Sequence, residues 1–140
     1  MSISNQEIQE VSRSFDMVRP EELASGSKRF YENLFHRAPN LRAMFREDLS
    51  GQGMKFMSTL KTIVVALKDK GVLHSELKPL GEGHANLGVH AASFEPMGEA
   101  LIDTFREILG PEFTSEMESA WRNAYAEISK EMIERGGISG

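Results

Sequence analysis

The chain has no cysteine. Disulfide frameworks, thiolate metal sites and cysteine nucleophiles are excluded together, and the absence fits a reducing compartment. Positive charge is in short supply: 16 Lys and Arg stand against 21 Asp and Glu, a formal charge of -5. An acidic chain without a basic run is a poor partner for nucleic acid. No apolar stretch approaches the roughly 18 residues needed to cross a membrane. The opening residues, Met-Ser-Ile-Ser-Asn-Gln-Glu, have no apolar signal-peptide core. The expectation is therefore a cytoplasmic protein that binds neither membrane nor nucleic acid. Period-two alternation is missing too. Val64-Val65 and Val72-Leu73 are too short for strands and sit inside helical patterns.

What is present is ordinary for a folded domain. A hydrophobic fraction of 40% and a charged fraction of 26% over 140 residues place the chain with globular proteins, as a single domain over residues 1–140 with no room for a second catalytic one. Turn signals divide it into helices. Ser4 and Glu7 have capping-box spacing, and Ile8, Val11, Phe15 and Val18 follow at steps of three and four. Pro20 opens a second helix to about Arg37, with Leu23, Ser27, Phe30, Tyr31, Leu34 and Phe35 on its inner side. Pro39 begins a short turn that ends near Phe45. Phe56, Met57, Leu60, Ile63, Val64 and Leu67 form the next stripe, which Lys68 to Gly71 end.

A helix near residues 75–86 stops at Gly88. Ser93 is placed to cap the next, with Pro96 in its first turn and Phe94, Met97, Leu101, Ile102, Phe105, Ile108 and Leu109 on its face. Gly110-Pro111 breaks it. The last helix starts at Thr114 or Ser115 and runs towards Arg135, lined by Met117, Trp121, Ala124, Tyr125, Ile128 and Met132. The glycine-rich end should fray. The fold class is all-α, a packed globule rather than a coiled coil.

Of the four histidines, only His84 lies within a clean apolar stripe: Leu73, Leu77, Leu80, His84 and Leu87. An inward imidazole there is either a core histidine satisfied by a polar neighbour or a ligand for a group bound inside, oriented through its other ring nitrogen by a carbonyl near Leu80. Tyr31, beside core positions, and Gln52, one turn before Phe56, are candidate hydrogen-bond donors. Read singly, a half-buried amphipathic tyrosine and a solvated first-turn glutamine are the better readings. Gly51-x-Gly53 and Gly81-x-Gly83 follow no strand, so a dinucleotide site is a poor reading. Glu95 and Glu99 read as exposed helix charges, and the eight methionines as adaptable core filler.

Taken in order, these residues resemble the globin family, in its bacterial single-domain and flavohaemoglobin branch. Residues 29–35 (RFYENLF) resemble the helix that carries a distal tyrosine. Residues 39–45 (PNLRAMF) resemble the short helix with a haem-stacking phenylalanine. Gln52-x-x-Lys55-Phe56-Met57-x-x-Leu60 resembles the distal helix, Leu80-Gly81-x-Gly83-His84-x-x-Leu87-Gly88-Val89 the proximal segment, and Trp121-x-x-x-Tyr125 the last helix. The likeness runs from about Glu7 to Arg135.

The resemblance implies a three-over-three helical sandwich around a pocket for haem b. His84 would be the iron ligand. Phe45, Phe56, Val89, Leu80, Leu87 and Phe94 would enclose the macrocycle, with Lys55 and His90 near its propionates. Tyr31 and Gln52 would face a bound gas from the distal side. The implied function is reversible binding of O2, NO and CO, with no catalytic residue assigned. Two alternatives follow: NO dioxygenase chemistry with an external reductase, and a gas-sensing or haem-free helical signalling domain. Tyr31, Gln52 and His84 occurring together argue against the last. A homodimer is compatible with all three. The sequence departs from the branch at Phe94 and Gly136, where a tyrosine and a glutamate support the proximal histidine, and at Gly83, where a lysine is common. These departures weaken the case for fast turnover of NO.

Overall fold

A computed structural model describes residues 3–44, 60–69, 73, 75, 77, 79 and 91–136, with backbone only for Pro20, Leu23, Ala24, Ser27, Ala43, Met44, Ala91, Arg135 and Gly136. Every regular element among them is helical, in agreement with the all-α expectation. None of these helices is long and apolar enough to cross a membrane.

Helix α1 spans Asn5–Asp16 and begins as its spacing requires. Ser4 Oγ accepts from the Glu7 amide at 3.1 Å, and the Glu7 carboxylate accepts from the Ser4 amide at 3.0 Å. Two of the four orphan donors of a helix start are thereby satisfied. Helix α2 spans Pro20–Arg37, with the proline in its first turn and Glu21 and Glu22 against the positive end of the helix dipole. A 3₁₀ turn over Pro39–Met44 follows, the tighter winding that a short piece adopts. Residues 60–66 are helical and bury Leu60, Ile63, Val64 and Ala66; Leu67 is buried just beyond. Leu73 and Leu77 are fully buried, and Leu73 is already helical, ahead of the start expected near Ser75.

Helix α3 spans Phe94–Leu109 and α4 spans Ser115–Gly136. The start of α3 corrects one expectation. Ser93 precedes the helix but makes no side-chain cap, because a 3₁₀ turn over Ala91–Ser93 leads in and holds Ser93 itself in a helical conformation. An N-cap needs extended backbone to turn its hydroxyl towards the free amides. Gly110 leaves α3 at a positive φ of 57°, which favours glycine. Thr114 caps α4 by accepting from the Met117 amide at 3.1 Å.

Two helix pairs make the framework: α2 lies against α3, and α1 against α4, with α3 also touching α4. Phe30, Leu34, Leu101, Phe105, Met117, Trp121 and Ala124 are among the buried residues between them. Phe105 is the hinge of an aromatic cluster, 4.7 Å from the Trp121 ring and 5.7 Å from Phe113. The indole N–H is fully enclosed and needs an acceptor. It donates to Ser14 Oγ on α1 at 2.5 Å, and that hydroxyl donates onward to the Val11 carbonyl at 2.8 Å. Where α4 meets α3, Gly98 provides a notch for the Tyr125 ring: a Cβ at this position would stand 2.7 Å from Tyr125 Cε2.

Two substitutions test this packing. Ser14→Ala strands the Trp121 N–H in the core, and its expected cost is about 1–3 kcal/mol, read as a lower Tm; an unchanged Tm contradicts the bond. Gly98→Ala pushes the Tyr125 ring out of its notch, with an expected loss of about 1–3 kcal/mol in urea unfolding; a stabilised variant shows that the two helices are not in close contact there.

Candidate functional site

Tyr31 and Phe94 are the two proposed pocket residues that fall within the described structure. His84, Gln52, Phe45, Phe56, Val89, Lys55, Leu80 and Leu87 lie outside the described residues. The site is therefore built from its α2 and α3 sides.

Tyr31 is half-buried in the middle of α2, next to the buried Phe30 and Leu34. The Phe30 ring meets it edge-on at 5.2 Å, and Phe35 stacks beside it at 6.1 Å with an interplanar angle of 25°. The Arg42 guanidinium lies 5.5 Å above the Phe35 ring. Burial among these groups pushes the Tyr31 phenol above the usual tyrosine value, because desolvation penalises the phenolate. Like any tyrosine it is protonated near neutral pH, and burial strengthens that preference.

A polar seam lies on another face of α2. Arg29, Asn33 and Arg37 recur every four residues and meet α3 in antiparallel order. Arg29 pairs with Glu107 at 3.6 Å. Asn33 Nδ2 donates to Thr104 Oγ1 and to Glu107 Oε1, each at 3.2 Å. Arg37 binds Asp103 through two nitrogens, at 2.6 and 3.0 Å. Asn33 went unremarked in the sequence, although its register with Arg29 and Arg37 marks a polar stripe.

Phe94 is buried at the first position of α3. No hydroxyl stands on its ring, so it cannot supply the hydrogen bond that the branch's tyrosine gives. The Tyr125 hydroxyl of α4 comes close but is engaged elsewhere: it donates to the Phe94 carbonyl at 2.8 Å. Burial raises the Tyr125 phenol well above the ordinary value. Glu99 corrects one expectation: it is half-buried rather than an exposed charge, because it sits in a network of arginines. It takes two hydrogen bonds from Arg122, which also reaches Glu118, itself held by Arg106. Those contacts keep the Glu99 and Glu118 carboxyls below the usual glutamate value. Glu95 is exposed, as an ordinary helix charge is. No cluster of three metal-ligating side chains occurs among the described residues.

Comparison with known proteins agrees with this architecture. The flavohemoprotein of Bordetella pertussis is 28% identical over 113 residues, covering 78% of this chain and 28% of its own length. That of Rhizobium meliloti is 27% identical over 103 residues, covering 71% and 26%. The chain thus spans little more than a quarter of these relatives. A Gossypium hirsutum protein named as an anaerobic nitrite reductase is 29% identical over 136 residues, covering 86% of this chain and 85% of its own length. The family model for globins matches residues 28–132, from the middle of α2 almost to the end of α4. This chain belongs to the globin family, the helical proteins that carry haem and bind gases, and it resembles the bacterial flavohaemoglobin branch.

Proposed function

We propose that this globin holds haem b in the cytoplasm and reversibly binds O2, with NO and CO as further ligands. The observation that carries the reading is Tyr31: a half-buried phenol bracketed by Phe30 and Phe35, in the segment whose resemblance to the branch marks a distal donor. A group of this kind fits a site that must polarise a small guest without binding water tightly.

When bound, haem would supply an iron able to take a diatomic gas. The chain supplies the rest. His84 is the residue that would hold the iron from the proximal side. Phe45, Phe56, Val89, Leu80, Leu87 and Phe94 would exclude water from the ring faces and edge, and Lys55 would lie near the propionates. On the distal side Tyr31 donates a proton to the hydrogen bond but does not release it, and Gln52 would add a second donor through its amide. Donors fixed in a dry pocket slow the departure of a ligand that carries partial negative charge.

Binding rather than turnover of NO is favoured by Phe94 and Tyr125. The ring of Phe94 offers no hydroxyl towards a proximal histidine, and the Tyr125 hydroxyl already donates to a backbone carbonyl. A histidine without such support pushes less electron density to the iron. Nitrite reduction is named for the Gossypium hirsutum relative; turnover of NO or nitrite here would need electrons from a reductase.

Two measurements test the reading. His84→Ala, purified after expression with ample haem, should retain less than about a tenth of the wild-type haem; full retention with an unchanged spectrum removes His84 as the ligand. Tyr31→Phe deletes one hydrogen bond, worth about 1.5 kcal/mol, so O2 release should quicken roughly tenfold in stopped flow. An unchanged rate removes Tyr31 from the distal site.

A further inference from the structure

The polar seam between α2 and α3 does more than join two helices. At about 100° per residue, Arg29, Asn33 and Arg37 sweep a narrow arc of the α2 surface, and Tyr31 lies about 160° from its centre. The seam and the phenol are therefore on opposite sides of one rigid rod. A helix with its side chains is about 10–12 Å across, so a roll of about 15° moves a group at its rim by about 1.5 Å. That displacement is larger than the whole span of useful hydrogen-bond lengths. Apolar contacts at Phe30 and Leu34 are non-directional and tolerate such a roll far better than a hydrogen bond does.

Asn33 is the fixed point of the seam. Thr104 is 2% exposed, and its hydroxyl proton is committed to the Ala100 carbonyl at 2.7 Å. Towards α2 it can only accept. Glu107 also presents an acceptor. The side-chain atom of Asn33 between them must then be its NH2 group, and both hydrogens are used, one on each partner. Any rotation of α2 breaks one of these bonds and leaves a buried hydroxyl short of its donor. Of the flanking pairs, Arg29 with Glu107 is solvent-facing at 3.6 Å and contributes little by itself, while the two-pronged Arg37–Asp103 pair reinforces the same orientation from the end of the seam.

The geometry points to Asn33, through Thr104, as the positioning residue that sets the roll of α2 and so aims the Tyr31 hydroxyl at the bound gas. This rests on the distal role proposed for Tyr31. It adds that gas affinity is tuned from the far side of the helix, by a pair that touches neither ligand nor haem.

The CO complex of the haem-loaded protein tests this by infrared spectroscopy, because the C–O stretch reports the hydrogen bond at the ligand. Tyr31→Phe should move the band to higher frequency. Asn33→Ala and the near-isosteric Thr104→Val should each give an up-shifted or split band and release O2 about threefold faster or more. Thr104→Ser, which restores the hydroxyl, should return the wild-type band. In the Tyr31→Phe background, Asn33→Ala and Thr104→Val should change neither readout. A band that Tyr31→Phe shifts but both seam variants leave in place overturns the aiming role alone. Equal seam effects with and without Tyr31 also overturn it, since they betray general loosening. If Tyr31→Phe itself leaves the band unmoved, the distal role of Tyr31 falls and the aiming role with it.

Discussion

The antiparallel pairing of α2 with α3 is the constraint on which the rest of the described structure depends. One face of that contact is apolar, through Phe30, Leu34, Leu101 and Phe105. It supplies the free energy of association, because removing such surface from water is the largest favourable term in folding. The edge of the contact is polar, and directional bonds there convert a greasy interface into one with a single register. Helix α4 closes on the other side of α3, seated in the Gly98 notch, and α1 is tied to α4 by the Ser14–Trp121 bond. Each helix is thus fixed by an apolar stripe that provides most of the stability and by one or two polar contacts that choose the orientation.

Much of this was legible in the residues. The start of α1 follows from Ser4 and Glu7, the start of α2 from Pro20, and the break after α3 from Gly110 and Pro111, because capping and φ restriction act within a few residues of chain. The buried faces of α3 and α4 also follow from their three-and-four spacing. Ser93 misled because a serine before a helix caps only if its own backbone is extended. Here the preceding turn is already wound. Asn33 was silent for a different reason. A lone asparagine on an otherwise charged stripe reads as solvated, and only the arrival of Thr104 from 71 positions away makes it a fixed point.

The candidate site divides the same way. Tyr31 could be singled out by its place among aromatic core positions, and the structure adds that its phenol is half-buried between Phe30 and Phe35. Phe94 was legible as a departure from the branch pattern. That the Tyr125 hydroxyl approaches this point but is bonded to the backbone was not, since pairwise contacts between α3 and α4 are invisible in a single chain. In the proposed reading the chemistry leans towards holding a ligand, with a phenol on α2 and no tyrosine on α3 to support a proximal histidine.

The central claim is that this helical frame encloses an iron porphyrin with one face open to a gas. The visible absorption spectrum of the purified ferrous protein, recorded without gas and then under CO, tests it most directly. One haem per chain and a sharp Soret band that moves on adding CO are the predicted result. A chain that folds fully yet takes up no haem, or a ferrous spectrum indifferent to CO, contradicts the account.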